Sequence, residues 1–286
     1  DRGTKAVLID GKFRTSILTT PVSGRIPPMT SAGQSRMQGL QDSWRLLWRS
    51  QDLPAARNTG TAWWLDNADG VGPYDDIEVP EESMGIDFEA EIAVVTADVP
   101  MGTTDEHAGN FIKLLMLVND VSLRGLIPGE LAKGFGFYQS KPASSFAPVA
   151  VTPDELGDSW FDSKVHLPLL THYNNELFGK PNAGVDMTFS FNELVAHAAR
   201  TRNLGAGTII GSGTVSNKQG TDHGSAIVHG GVGYSCIAEV RMIETIRDGQ
   251  PSTAFMSNGD TVRIEMADIN GASIFGAIEQ RVKIKK

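Results

Sequence analysis

The chain has 286 residues, 40% of them hydrophobic and 21% charged, and its formal net charge is −9. That length suits one large domain or two smaller ones, and the composition is globular. The acidic balance argues against nucleic-acid binding and against a basic membrane-surface protein. The single cysteine, Cys236, excludes an internal disulfide framework and a metal site built from several thiolates. No apolar run reaches the roughly 18 residues of a membrane span and no signal peptide is recognised, so a cytoplasmic protein is expected.

The N-terminal part of the chain has a different sequence pattern from the rest. KAVLIDGKFRTSILT predicts two short strands around a turn at Asp10-Gly11. DSWRLLWRS then predicts a short amphipathic helix. We therefore predict an N-terminal segment or small domain at 1–80 and a main domain at 81–286.

Beyond that boundary the pattern is mostly strands. VHLPLLTHYNNELFGKP predicts a hairpin that turns at Asn174-Asn175, and GDTVRIEMADINGASIFGAIEQRVKI predicts another that turns at Asn270-Gly271. Because strands outnumber helices and do not alternate with them, the predicted fold class is β-rich α+β.

One good helix is predicted between the two hairpins, in SFNELVAHAARTRNLGAG. Ser190 and Glu193 form a capping-box pattern at its start, and Gly205 is a natural stop. His197 lies inside this helix, where a partly buried or surface position is a better interpretation than a ligand role.

The stretch GIDFEAEIAVV, at 85–95, places Asp87, Glu89 and Glu91 on one face of an extended strand. Clustered carboxylates raise one another's pKa unless a cation neutralises them, and oxygen-only ligands select a hard ion over zinc. Alternation alone slightly favours a simpler interpretation, a solvated charged face.

A third acid changes that balance. FIKLLMLVNDVSLRG ends an apolar run in Asn119-Asp120, which is a common way to present a ligand into a cleft. Arg124 follows four residues later, and its fork is able to bind a substrate carboxylate through two hydrogen bonds. The third acid therefore favours a site over a solvated face.

Two further segments offer polar groups. FYQSKPASSFAPV places Lys141 between a predicted strand and a proline, as a surface charge or a positioned cation. GAGTIIGSGTVSN is either a tight β-turn region or a backbone that approaches a ligand closely, with Thr214 as a hydrogen-bond donor. The phosphate-loop pattern is absent from it.

Five motifs in a fixed order together resemble one known family, the fumarylacetoacetate hydrolases, and most closely its bacterial fumarylacetoacetase-like branch. The resemblance covers roughly residues 81–285. It implies the mixed β-roll of that family's C-terminal domain, a homodimer, and a small-molecule diketo acid as substrate. The motifs are GIDFEAEIAVV, NDVSLR, QSKPASSFAP, GSGTVSN and SCIAEVRMIET.

The resemblance also implies a site. A divalent cation, Mg²⁺ or alternatively Ca²⁺ or Mn²⁺, would bind Glu89, Glu91 and Asp120, with Asp87 in a supporting role at most. The groups that meet the substrate or a developing charge would be Arg124, Lys141 and Thr214.

The chain departs from the family pattern at two places. A glutamine that contacts substrate is replaced by Ile127. The family's water-activating histidine precedes the carboxylate strand, and this chain has no histidine before His107. Glu239, in SCIAEV, lies near the position of that histidine's glutamate partner. The base is then supplied by a segment outside this sequence, or by another group, or the reaction needs no activated water.

The resemblance implies a metal-dependent hydrolase that cleaves a carbon–carbon bond in a β-diketo acid, with Lys141 and Glu239 as catalytic residues. Fumarylacetoacetate would give fumarate and acetoacetate, the last step of tyrosine breakdown. The alternatives are an oxaloacetate decarboxylase, a hydratase or isomerase of aromatic degradation, and, from another class, a non-catalytic metal- or ligand-binding homologue.

Overall fold

The computed structural model describes residues 6–8, 71–133, 137–221 and 223–285. Most of its strands are short, and within these ranges its helices are few. The strands are β1 Ala6–Leu8, β2 Ile77–Val79, β3 Ile86–Asp87, β4 Ala90–Thr96, β5 Ile112–Asn119, β6 Ser122–Leu123, β7 Ser145–Phe146, β8 Val149–Val151, β9 Trp160–Phe161, β10 Lys164–Val165, β11 Leu170–Tyr173, β12 Glu176–Gly179, β13 Ile209–Gly211, β14 Thr261–Ala267 and β15 Ser273–Ile284.

The α-helices are α1 Asp105–Ala108, α2 Ile127–Leu131, α3 Phe191–Ala198 and α4 Ile237–Asp248. Short 3-10 segments occupy Glu82–Met84, Gly109–Phe111 and Ile227–His229, and a further stretch, Pro153–Ser159, is interrupted by a kink at Gly157. Within the described ranges, no helix has the length and apolar character that a membrane crossing requires. The predicted β-rich α+β class is confirmed.

Two sheets organise the molecule. One has the strand order β1-β8-β5-β4-β13, with β7 also paired to β5, and the other has the order β12-β11-β14-β15-β2. The strands of both sheets pair antiparallel except β15 and β2, which run parallel. The second sheet is therefore mixed. Strands β3 and β6 form a separate pair.

The core lies between the two sheets. One buried cluster contains Ile92 and Leu115 from the first sheet and Ile264 and Ile278 from the second. A smaller cluster, which includes Met116, covers the opposite face of the first sheet. Strands β4 and β5 are therefore buried on both faces, which explains their continuous apolar sequence.

Both predicted hairpins are present. Asn174 and Asn175 adopt positive φ angles of 50° and 68°, as a tight two-residue turn requires. The second hairpin has a longer connection, because Ala267 pairs with Ser273. There one oxygen of the Asp268 carboxylate accepts the backbone N–H groups of Asn270 and Ala272, both at 2.8 Å.

The helix predicted between the hairpins begins as expected and ends early. Ser190 and Glu193 form the complete capping box. The predicted stop at Gly205 is wrong, because α3 ends at Ala198. The chain then pairs with another backbone segment, in reciprocal N–H···O bonds of 2.8 and 2.9 Å between Val99 and Leu204. Tertiary pairing therefore overrides the local helix signal.

The predictions for the N-terminal part are tested only at β1, which coincides with the first predicted strand. The turn at Asp10-Gly11 and the DSWRLLWRS helix lie outside the described residues. The division into 1–80 and 81–286 stays a prediction.

Candidate active site

The carboxylate-bearing segment is not the single strand that its alternation predicts. Strand β3 ends at Asp87, and β4 begins at Ala90. Between them, the Glu89 N–H donates to the Asn119 side-chain oxygen at 3.1 Å, and the Asp120 N–H donates to the Glu89 carbonyl at 3.0 Å. This interruption ties Glu89 directly to Asp120, which is distant in sequence.

Three carboxylates meet at this interruption. Glu89, Glu91 and Asp120 each offer an oxygen, and these oxygens lie within 4.8 Å of one another. The residues are 7%, 0% and 2% exposed, so the interpretation as a solvated charged face is wrong. The structure thus brings together the three predicted metal ligands.

The residues present fit a hard divalent cation. All three ligands are oxygens, and metal–oxygen bonds of about 2.0–2.6 Å allow ligand oxygens at these separations. One oxygen of Glu91, Oε1, is buried without a hydrogen-bond partner, whereas its Oε2 accepts the Gly213 N–H at 3.0 Å. A buried carboxylate oxygen without a donor is expected to be satisfied by an ion or a water molecule.

Lys141 is a buried cation of this cluster. Its side chain is 8% exposed, and its Nζ donates to Glu89 Oε2 at 2.7 Å and to Asp120 Oδ2 at 2.8 Å. Ser144 donates to the other Asp120 oxygen at 3.2 Å. Of the two interpretations of Lys141, the positioned cation is the one that this geometry supports.

The strand predicted before Lys141 is wrong. The residues that precede it form a turn, because the Glu130 carboxylate accepts the backbone N–H groups of Tyr138, Gln139 and Ser140 at 2.9, 2.7 and 3.2 Å. A carboxylate with three such bonds stabilises a turn that β-propensity alone does not predict. The turn delivers Lys141 to the carboxylates.

Arg124 faces acids of its own chain. Its Nε donates to Asp87 at 2.8 Å, and its Nη2 donates to Glu89 at 2.7 Å. Asp87 is fully buried and also accepts the N–H groups of Ile237 and Ala238, at the start of helix α4. Helix α4 was not predicted from the sequence, although Gly249 after it and Arg247 in its last turn are both end signals.

Burial and the neighbouring charges together shift the pKa values of the cluster in opposite directions. Burial raises the pKa of Glu89, but Lys141 and Arg124 outweigh it and lower that pKa to about 2. Burial raises the pKa of Asp120 to about 6, against the opposing effect of Lys141. Burial and the neighbouring acids also raise the pKa of Glu91. For Lys141, the attraction of the acids exceeds the cost of burial and raises its pKa. Such split values are typical of functional sites.

The segment of Thr214 contacts this cluster at Glu91, and the segment of Glu239 contacts Asp87. Thr214 is half-buried and follows Gly213, whose N–H binds Glu91. Glu239 is in the first turn of α4, where its carboxylate is bonded to the Ser216 hydroxyl at 2.5 Å. Burial raises the pKa of Glu239, while the Ser216 bond and the charge of His223 oppose that rise. Ser216 was not singled out from the sequence, although it lies within the GSGTVSN motif.

The departing position Ile127 begins helix α2 and is half-buried. A separate cavity of about 500 Å³ has Val121 and Pro142 in its wall. These two residues follow Asp120 and Lys141 in sequence, so the cavity borders the segments that carry the site.

Comparisons with known proteins find a matching family model and solved structures of similar fold. The family model described as "Fumarylacetoacetate (FAA) hydrolase C-terminal" matches residues 37–283. Among solved structures, the fumarylacetoacetate hydrolase of Exiguobacterium antarcticum is similar, with a TM-score of 0.51 and 19% identity over 75% of this chain and 63% of that one. At that identity the likeness concerns the fold, and it confirms the predicted fold type.

Curated relatives have names that indicate varied activities. The 2,4-didehydro-3-deoxy-L-rhamnonate hydrolase of a Sphingomonas species is 29% identical over 146 residues, which are 50% of this chain and 48% of that protein. The mitochondrial oxaloacetate tautomerase of Xenopus laevis is 29% identical over 148 residues, 50% of this chain and 44% of that protein. The chain thus spans about half the length of the curated relatives it matches. The narrower fumarylacetoacetase-like branch stays a prediction.

Proposed function

Because the chain belongs to the fumarylacetoacetate hydrolase family, we propose that it is a metal-dependent hydrolase that cleaves a carbon–carbon bond in a β-diketo acid. Fumarylacetoacetate is the first substrate to test. The observation that carries the proposal is the group of three buried carboxylates within 4.8 Å, with a buried lysine bonded to two of them.

The metal would be held by Glu89, Glu91 and Asp120, and Mg²⁺, Mn²⁺ or Ca²⁺ suits their oxygen ligands. Such an ion, when bound, acts as a Lewis acid toward the oxygens of a diketo acid. The three residues contribute a fixed negative pocket that selects a cation.

The cationic side chains would stabilise and orient the substrate. Lys141 lies between two of the acids with its ammonium group buried, where it can donate to an oxygen that gains negative charge as the bond breaks. Thr214 would add a hydrogen bond to the same oxygen. Arg124 would orient the substrate's carboxylate with the part of its guanidinium group that does not face Asp87 and Glu89.

Glu239 would supply the base that hydrolysis requires. A water molecule must lose a proton as it attacks a carbonyl carbon, and the departing carbon fragment must gain one. Glu239 combines a raised pKa with a hydrogen bond to Ser216, so its carboxylate is suited to accept that proton and release it later. The resemblance assigns this role to a histidine that precedes the carboxylate strand, and no histidine precedes His107 in this sequence.

The proposal is tested with protein from which metal has been removed by a chelator. Fumarylacetoacetate consumption and acetoacetate release are measured with and without added Mg²⁺ or Mn²⁺. Glu89→Gln should abolish turnover, whereas Glu106→Gln, at an exposed position on α1, should retain it. Metal-dependent stabilisation without turnover of fumarylacetoacetate, oxaloacetate or any other diketo acid would leave only the non-catalytic binding role.

A second candidate, chemistry on oxaloacetate, is favoured by the similarity to an oxaloacetate tautomerase. Tautomerisation or decarboxylation of oxaloacetate needs no attacking water. Glu239→Gln should therefore spare decarboxylation while it slows hydrolysis, whereas tautomerisation, which moves a proton from carbon to oxygen, keeps its need for a base. Turnover of oxaloacetate, with none of fumarylacetoacetate, would select this candidate over the first.

A further inference from the structure

We propose that Asp87 is a positioning residue of this site, which it serves through Arg124. It would hold the Arg124 guanidinium against the metal ligand Glu89 and would also fix the start of the helix that carries Glu239. The inference rests on the proposed metal site, and it gives a function to the acid that the ligand set does not use.

The Asp87 carboxylate accepts three hydrogen bonds, although it is not one of the proposed metal ligands. Its Oδ1 accepts the Ile237 N–H at 2.8 Å, and its Oδ2 accepts the Ala238 N–H at 2.9 Å and Arg124 Nε at 2.8 Å. These N–H groups begin a helix of 12 residues, where they have no partner within the helix. A negative charge there is also favoured by the helix dipole. Both oxygens are thus committed to groups that have to be held in place.

The link to the metal ligand runs through a rigid group. The guanidinium of Arg124 is planar, so fixing its Nε at Asp87 also fixes the direction of its Nη2. That Nη2 donates to Glu89 Oε1 at 2.7 Å, while Lys141 holds Glu89 Oε2 at 2.7 Å. Both oxygens of Glu89 are therefore oriented. Lys141 holds Oε2, and Arg124, which Asp87 holds in place, orients Oε1.

Loss of Asp87 would weaken cation binding through charge as well as through geometry. With Asp87 present, the positive charge of Arg124 is shared between two carboxylates. Without it, that charge acts on Glu89 alone, which opposes the approach of a cation. Outer groups that orient metal ligands typically change metal affinity by about 10- to 100-fold when they are removed.

The contrasting explanation is that Asp87 only anchors helix α4. That role predicts a loss of stability with unchanged metal affinity. The two explanations are separated by measuring Mn²⁺ affinity calorimetrically in Asp87→Asn, Arg124→Gln and the double variant, with the free energy of unfolding measured in parallel.

We expect Asp87→Asn to weaken Mn²⁺ binding by about 10- to 100-fold. In the Arg124→Gln background the same substitution should weaken it by less than about threefold, because the two residues act through one contact. The control is Asp268→Asn, which also removes a carboxylate that accepts two backbone N–H groups, in the β14–β15 turn. It should leave Mn²⁺ affinity unchanged.

An equal effect of Asp87→Asn in both backgrounds, or none in either, would overturn the positioning role while leaving the metal site intact. Wild-type protein that binds no Mn²⁺ would overturn the proposed function as well. If Asp87→Asn does not fold, Arg124→Lys serves instead, because it keeps the charge and loses the fork. Mn²⁺ affinity equal to that of the wild type in that variant would likewise refute the proposal.

Discussion

The contact between Lys141 and the two carboxylates leads to a quantitative prediction about stability. We replace Lys141 by methionine, which keeps an unbranched apolar side chain of similar length and removes the charge. Its partners, Glu89 and Asp120, have side chains that are 9% and 2% exposed, so neither regains much contact with water. The variant therefore leaves two buried acids without a cation they share.

Removing one partner of a buried ion pair costs about 3–5 kcal/mol, because the remaining charge is uncompensated. Here the loss is limited in two ways. Glu89 keeps its bond to Arg124, and Asp120, whose pKa is already raised to about 6, takes up a proton more readily once the lysine is gone. We therefore expect Lys141→Met to lower the free energy of unfolding by about 3 kcal/mol near neutral pH.

The assay is urea unfolding with a chelator present, followed by both circular dichroism and fluorescence. The matched control is Lys285→Met, which removes an ion pair at 2.5 Å whose side chains are 69% and 41% exposed, and it should leave the free energy of unfolding nearly unchanged. Saturating Mg²⁺ should narrow the gap between wild type and Lys141→Met, because the ion brings positive charge to the same oxygens. If the two lysine variants are equally stable, the argument from burial is refuted.

Three further predictions concern other positions. Glu244→Gln should cost about 1–3 kcal/mol near neutral pH, because the carboxylate accepts four hydrogen bonds from one loop. These bonds lower the pKa of Glu244 from 4.5 to about 2. The stabilisation by its carboxylate is therefore present above pH 4.5 and is lost as the pH falls through about 2. Acid unfolding of the wild type and of Glu244→Gln measures this difference. Glu239→Gln should lower kcat for hydrolysis by about 10²–10⁴-fold with unchanged Mn²⁺ affinity, and a fall in both would contradict the role as base. Gly179→Ala should lower the free energy of unfolding, measured by thermal unfolding, by about 1–3 kcal/mol or more, because its Cβ would lie 2.0 Å from the Tyr234 carbonyl oxygen. In the control Gly205→Ala, the added Cβ meets no atom within 4 Å, so stability should be unchanged.

The local features of the fold were predictable from the sequence where local chemistry decides them. The Asn174-Asn175 turn depends on two residues that tolerate positive φ, and the start of α3 depends on a capping box, so both are encoded within a few residues. The end of α3 was not predictable, because the chain leaves the helix to pair with Val99. Contacts between distant segments carry no local signal.

The same distinction holds within the candidate site. Alternation grouped Asp87 with Glu89 and Glu91, and all three are buried in the same region. It did not separate their roles, because the separation arises where the strand is interrupted beside Asn119, 30 residues away from Glu89. The partners of Lys141 were equally beyond local pattern, since its bond to Glu89 spans 52 residues.

The distribution of cations explains where a divalent ion would be needed most. Arg124 is shared between Asp87 and Glu89, and Lys141 between Glu89 and Asp120. Within the part of the chain that the structure describes, Glu91 forms no ion pair; one of its oxygens accepts a backbone N–H, and the other is buried without a donor. Its negative charge is therefore the least compensated of the four acids, and burial makes that charge costly. A cation that binds here gains most from Glu91, so metal affinity should depend more on Glu91 than on Glu89 or Asp120, whose charges Lys141 and Arg124 already offset in part.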